Sequence, residues 1–399
     1  MVKTRRLNER STGNSGMGKG SSRTAGLATL LLTVCVSVTA GETERRQAKR
    51  MHDRLTGVPP SASVLSEMES QLPGNPVEAA YIAIDTSRNP DAKYFYNVTL
   101  KNFAAPWTNE EQSVFVPLND YVATVIGMIR DDKSFSELLT ASYMYRGAAN
   151  LPGVAPWSNS SNTHYEELES SGVDLSDPAN LVEVQQDVMA PAGIMTSRAA
   201  AKAFFSAGTN RAMFRFTMLN HLCNDLEQVK DTTRIPDRIR QDVSRSPGGD
   251  SRIFLNACIG CHAGMDPMAQ AFAYYDYDEE RGELVYTPGV VQPKYLINAD
   301  NFKYGYVTAD DHWENYWREG PNAVLGWGFG DGSGNGASSL GKELADSDAF
   351  SRCQVTKVFR TVCFGEPDND QMNRLNASFR TSYNMKQLFA ETAVECMDN

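Results

Sequence analysis

Two thiols and one imidazole stand together in the stretch Cys258-Ile259-Gly260-Cys261-His262. The spacing C-x-x-C-H is the attachment signature of a c-type haem. One turn of helix brings the two sulfurs to the separation of the two haem vinyl groups, and the next residue can reach the iron as the proximal ligand. The motif therefore predicts one covalent haem c, attached through Cys258 and Cys261 with His262 on the iron.

Three other interpretations of the motif are a zinc half-site, a thioredoxin-like redox pair and a chance match. A structural zinc site needs four ligands, usually from a second Cys or His pair at similar spacing. The sequence contains no second C-x-x-C and no H-x-x-x-H. A thioredoxin-like pair does not require a histidine directly after the second cysteine. The specificity of the motif, together with the export signal described below, favours haem attachment.

Residues 1–40 have the features of a secretory signal peptide. A basic region precedes the apolar run from Leu27 to Val38, and Val38-Thr39-Ala40 supplies small residues before a cleavage point. An uncleaved membrane anchor is the alternative, but the run is short for a transmembrane helix. In bacteria, haem is attached covalently to cytochromes c outside the cytoplasm, so the predicted export signal and the haem motif support each other. They predict a periplasmic or secreted protein with no integral membrane span in the mature chain.

The charge of the chain limits its partners. The net charge is −11, and residues 1–40 hold six basic residues and one acidic residue, so the chain without them carries −16. Such a protein is not expected to bind nucleic acid or anionic lipid electrostatically. The expected partner is a redox protein with a basic docking face. The sequence does not indicate an oligomeric state.

The predicted fold class is mainly α, with a helical haem domain of cytochrome c type, a C-terminal helical bundle and a largely helical N-terminal domain. A stretch rich in Gly, Pro, Asn and Ser suggests the main boundary. The predicted segments are a signal peptide (1–40), an N-terminal helical domain (41–150), a linker (151–185), a haem-bearing domain (186–340) and a C-terminal helical domain (341–399).

Helix signals are clear at several points. A helix is expected to start near Ser61 or Ser63, and Asn75 before Pro76 and Asn119 are expected to cap helices. The haem helix is expected over 251–263, and amphipathic patterns predict three terminal helices over 340–363, 370–379 and 385–394.

Other stretches give different expectations. Residues 94–118 are expected to be extended or looping, and residues 132–144 helical. His52 and His164 lie among polar residues and are expected at the surface.

The stretch CIGCHAGMDPMAQAFAYYD, which begins at Cys258, resembles the haem segment of planctomycete-type cytochrome c proteins, matching at Asp266, Pro267 and Asp276. Ala273 stands where that family usually has an acid. Residues 192–197, 211–223 and 350–359 are similar to its flanking helical segments. The resemblance implies an exported, largely helical haem protein and does not supply a reaction.

The sixth iron ligand is less clear from the sequence. His312, beside Trp313 in a loop-rich segment, is the candidate for a distal ligand because a loop is free to reach the second haem face. His221 is an alternative, although it could instead be a core histidine. A five-coordinate iron is the third alternative.

Four further cysteines follow the leader: Cys223, Cys353, Cys363 and Cys396. An even number in an oxidising compartment predicts two disulfides, for which three pairings exist. If the terminal helices form a bundle, the first and third run parallel, which favours Cys363 with Cys396. Free buried cysteines are the alternative.

Three functions compete. The leading hypothesis is a monohaem cytochrome that transfers single electrons, alone or beside a periplasmic oxidoreductase. The second hypothesis is a haem enzyme of peroxidase or oxygenase type, because the chain is much longer than a simple electron carrier needs. Such an enzyme would need an open distal face with an acid–base residue. The third hypothesis is a binding module in which haem is structural. Apart from the haem motif, no catalytic constellation is evident.

Overall fold

The computed structural model describes residues 40–206 and 208–398. The predicted signal peptide thus lies outside the described residues, except for Ala40. Within the described residues, no helix is both long enough and apolar enough to cross a membrane.

Helices dominate the fold. Among the described residues, helices are the main elements and the strands form only small pairs, which confirms the prediction of a mainly α protein. The α-helices are Ala40–Thr56, Ala62–Gln71, Pro76–Ile84, Lys101–Ala104, Asp120–Arg130, Thr163–Ser170, Arg198–Phe204, Arg211–Leu222, Ser251–Ile253, Ile259–Ala269, Gly336–Ala345, Asp348–Cys363, Asn369–Ser382 and Met385–Glu395.

Three antiparallel strand pairs lie between the helices. Tyr143–Gly147 pairs with Leu181–Gln185 so that Tyr143 is opposite Gln185. Tyr275–Asp278 pairs with Glu283–Tyr286, and His312–Glu314 pairs with Ser333–Asn335. Each is a two-stranded ribbon, which is marginal alone and depends on the surrounding helices.

The predicted helix starts at Ser61, Asn75 and Asn119 are confirmed. Each side chain accepts a hydrogen bond from a backbone N–H in the first turn, and Pro76 occupies the first helical position after Asn75. These bonds satisfy donors that the first turn of a helix otherwise leaves free.

Two local predictions are wrong. Residues 95–108, expected to be extended, form successive helical turns, because Phe95 and Phe103 are buried against Phe389 with ring centroids 5.1 and 5.3 Å apart. Residues 132–144, expected to be helical, hold only a short 3₁₀ turn, Phe135–Glu137, before the first strand. In both segments, packing in the tertiary structure outweighs the local preference for a type of secondary structure.

The stretch 151–185, predicted as a linker, contains regular structure. Helix Thr163–Ser170 buries Tyr165 and Leu168, and strand Leu181–Gln185 follows. The bounds of the predicted domains stay a prediction, but one hydrophobic core includes residues from Ala48 to Cys396.

The C-terminal part contains four helices over 336–395, where three were predicted. The predicted first helix is broken at Ser347, whose hydroxyl caps Asp348–Cys363 by accepting from the N–H of Phe350. Disulfides join Cys363 to Cys396 and Cys223 to Cys353. The prediction of two disulfides and the favoured Cys363–Cys396 pairing are confirmed. The Cys223–Cys353 disulfide connects the end of helix Arg211–Leu222 to the C-terminal helices.

Candidate functional site

The predicted haem helix begins where Asp250 caps it by accepting from the N–H of Arg252. Helical backbone then continues through a π-type turn, Phe254–Cys258, into Ile259–Ala269. Such turns widen a helix and are frequent at functional sites. The helix continues past the predicted end at residue 263 and includes Pro267, because residues 263–269 are buried.

Both motif thiols are free. Cys258 and Cys261 are three residues apart on this helix, are partly exposed, and are the cysteines of the described residues that form no disulfide. The Cys261 thiol donates to the Leu226 carbonyl at 3.5 Å, and burial raises its pKa. The disulfides use the other four thiols, so this pair remains available for thioether bonds.

The imidazole of His262 has one nitrogen engaged. Nδ1 lies 3.0 Å from Oδ1 of Asp266, one turn further along the same helix, and the side chain is 19% exposed. The Phe254 ring lies 5.9 Å from the imidazole centroid to centroid. When Nδ1–H donates to the carboxylate, Nε2 keeps its lone pair and can bind a metal.

A buried cluster of charges holds Asp266. Arg211 Nε donates to Asp266 Oδ1 at 2.7 Å, and its Nη2 donates to Asp242 at 2.6 Å. Arg240 Nη2 donates to Asp242 at 3.1 Å, and both aspartates are fully buried. Burial alone would raise the pKa of Asp266, but the Arg211 charge and then His262 and Arg240 outweigh it and hold that pKa well below its usual range. The positive charge of Arg211, supported by Arg240 and by the contact with His262, thus keeps Asp266 ionised.

The other side of the helix is fixed by Trp317. A Cβ added at Gly264 would lie 1.9 Å from Nε1 of the buried Trp317 indole. Only glycine permits this close approach, so Gly264 and Trp317 set the position of the helix that carries the motif.

Side chains near the motif suit a haem. Ile253 and Leu255, just before the thiols, are 47% and 50% exposed apolar residues. The Arg245 guanidinium lies 5.0 and 4.4 Å from the ring centroids of Phe254 and Phe302, and within the described residues it contacts no carboxylate. Cys258 and Cys261 would hold the porphyrin covalently, His262 the iron, and Arg245 is a suitable cation for a propionate. The donor set fits haem c.

His312 lies on strand His312–Glu314, which packs near the motif helix. Its Nε2 is 3.5 Å from the Glu314 carboxylate, and the side chain is partly exposed. In the part of the chain that the structure describes, no hydrogen bond or ring contact joins His312 to the motif. A distal ligand would lie across the haem from His262, so this role of His312 stays a prediction.

The other histidines are structural. His52 and His164, predicted at the surface, are buried, because their ring nitrogens satisfy backbone and side-chain groups such as the Val58 carbonyl and the Gly147 N–H. His221 is buried with Nε2 2.7 Å from the Tyr121 hydroxyl, and burial places its pKa well below the usual value.

Asp266 was noted in the sequence only through the family resemblance, and its contact with His262 was missed. The signal was present, because residues four apart on a helix are neighbours. The sequence holds no comparable spacing that would predict a contact between Asp266 and Arg211, Asp242 or Arg240. Across the described ranges, no group of three or more His, Cys, Asp or Glu is placed to hold a metal ion.

Comparison with known proteins does not assign the chain to a family. No protein-family model, curated protein or solved structure matches this chain. The resemblance to planctomycete-type cytochrome c proteins therefore stays a prediction from the motif residues.

Proposed function

We propose that this protein is an exported monohaem c-type cytochrome that transfers single electrons, alone or as a partner of a periplasmic oxidoreductase. One observation carries the proposal. Four of the six cysteines in the described residues pair as disulfides, and the remaining two lie one helical turn apart, directly before a histidine whose Nε2 is free.

Each motif residue has a separate task. Cys258 and Cys261 would hold the haem covalently through its two vinyl groups, and His262 Nε2 would bind the iron. A bound haem iron supplies a one-electron couple between its ferric and ferrous states. Arg245 would be a suitable cation for a propionate, and the exposed side chains of Ile253 and Leu255 would supply apolar surface beside the attachment thiols.

The proposed redox partner has a basic docking face. The chain without residues 1–40 carries an acidic excess. Several arginines near the motif are already neutralised: Arg234 pairs with Asp231, Arg238 with Glu314 and Arg252 with Asp250. These pairings leave the acidic excess of the chain as a whole to attract a basic partner, so such partners should associate faster at low ionic strength.

Whether the distal side of the iron is open or bound by a side chain distinguishes an electron carrier from a haem enzyme. We expect the holoprotein, expressed with a cytochrome c maturation system, to show a low-spin absorption spectrum, oxidised and reduced, that does not change with carbon monoxide. Two strong axial ligands produce this behaviour and suit electron transfer. A high-spin spectrum that shifts with carbon monoxide would contradict the carrier function and indicate an open iron.

A haem enzyme is the second candidate, and one observation favours it. The carboxylate on His262 Nδ1 makes the imidazole a stronger electron donor, which helps to stabilise oxidised iron. This enzyme would need an open distal position, which the carbon monoxide experiment detects.

In the carrier, His312 would supply the sixth ligand. We expect His312→Ala to convert the spectrum from low spin to high spin, because the second axial ligand is lost. Glu314→Gln is the control, since it removes the carboxylate 3.5 Å from Nε2 and keeps the imidazole. A low-spin spectrum that His312→Ala leaves unchanged would remove His312 from the iron.

A further inference from the structure

The contact between His262 and Asp266 belongs to a built arrangement. Both carboxylate oxygens of Asp266 are occupied. Oδ1 accepts from Arg211 Nε at 2.7 Å and lies 3.0 Å from His262 Nδ1. Oδ2 accepts from Arg211 Nη2 at 3.2 Å and from the Arg240 backbone N–H at 3.3 Å. The carboxylate therefore cannot turn away from the imidazole without breaking its bonds to the Arg211 guanidinium and to the Arg240 backbone N–H.

We propose that Asp266 is a positioning residue for His262, which fixes the proton on Nδ1, directs Nε2 to the iron and lowers the reduction potential of the haem. This inference rests on the proposed haem site. It assigns a function to a buried carboxylate that electron transfer alone does not require.

The direction of the effect follows from charge. A hydrogen bond from Nδ1–H to an anion raises the electron density on the imidazole, so Nε2 becomes a stronger donor. A stronger donor, and a nearby negative charge, both favour the ferric over the ferrous state. The effect is large where water is excluded, and the Asp266 side chain is fully buried.

A purely structural ion pair with Arg211 is the competing explanation for Asp266. Asp242 provides the matched control, because it is equally buried and bound by the same Arg211 and Arg240. Among the described residues, Asp266 is hydrogen-bonded to His262, whereas Asp242 has no hydrogen bond to that histidine. Substitution at either position removes one buried negative charge and one partner of Arg211, but only substitution at Asp266 changes the ligand.

The experiment compares holoprotein variants Asp266→Asn and Asp242→Asn by redox titration. At a fixed ambient potential, we expect Asp266→Asn to raise the ratio of reduced to oxidised haem at least tenfold, which is about 59 mV for one electron. We expect less than half of that shift for Asp242→Asn. Asp266→Glu should restore part of the wild-type potential, because it returns the anion.

Two results would overturn the proposal. One is an Asp266→Asn potential equal to that of the wild type, and the other is equal shifts in both asparagine variants. If Asp266→Asn does not accumulate, hydrogen exchange is measured by NMR on the wild-type holoprotein labelled with ¹⁵N-histidine. We expect the His262 Nδ1–H to be protected from exchange with solvent. A freely exchanging Nδ1–H would contradict the proposal. A wild type without covalent haem would instead refute the proposed function.

Discussion

If haem is attached as proposed, replacing both Cys258 and Cys261 with alanine will abolish covalent haem. The described chain offers no other free cysteine, since the remaining four are paired in disulfides. Neither thioether can then form, and haem held only by His262 is extracted by acid–acetone. We expect complete loss of the haem absorption band from the extracted polypeptide, whereas each single variant keeps one thioether bond.

The control is Cys363→Ala with Cys396→Ala, which also removes two sulfurs. It opens a disulfide far from the motif in sequence and should cost about 2–4 kcal/mol of stability, yet it leaves the attachment thiols intact. Haem that survives extraction in the Cys258/Cys261 double variant would disprove attachment at the motif. So would loss of covalent haem in a folded control variant.

Replacing Arg211 with methionine will strongly destabilise the protein. Arg211 binds both Asp242 and Asp266, whose side chains are fully buried. Its loss leaves two buried carboxylates with Arg240 as the remaining guanidinium of the cluster. Breaking one side of a buried ion pair costs about 3–5 kcal/mol because a buried charge is left uncompensated. Urea unfolding followed by circular dichroism measures this loss.

Arg215→Met is the matched control, since Arg215 lies one turn further along the same helix. It pairs with Asp225, but its side chain is 46% exposed. An exposed pair contributes about 0–1 kcal/mol, so this variant should unfold close to the wild type. Equal urea midpoints for the two variants would show that the buried cluster does not stabilise the fold.

Local chemistry predicted much of the fold. Asn119 and Asn75 start helices because their side chains bond to first-turn N–H groups, which depends only on neighbouring residues. The helical setting of Cys258 and Cys261 followed from their spacing, and the two disulfides from their number. These features depend on contacts between residues close in sequence or on simple counting.

The missed features depend on distant residues. Phe95 and Phe103 are helical because they pack on Phe389, almost three hundred residues later. Asp242 and Arg211 meet Asp266 only after three segments come together. No local pattern marks such a cluster, because each charged residue alone is typical of a solvated surface.

Intact mass spectrometry of the mature protein, expressed with a cytochrome c maturation system and denatured before injection, tests covalent haem attachment most directly. We predict a polypeptide heavier by the mass of one haem, with the added mass on the peptide that contains Cys258 and Cys261. A polypeptide of unmodified mass, from cells that load a known cytochrome c in parallel, would contradict the proposed function.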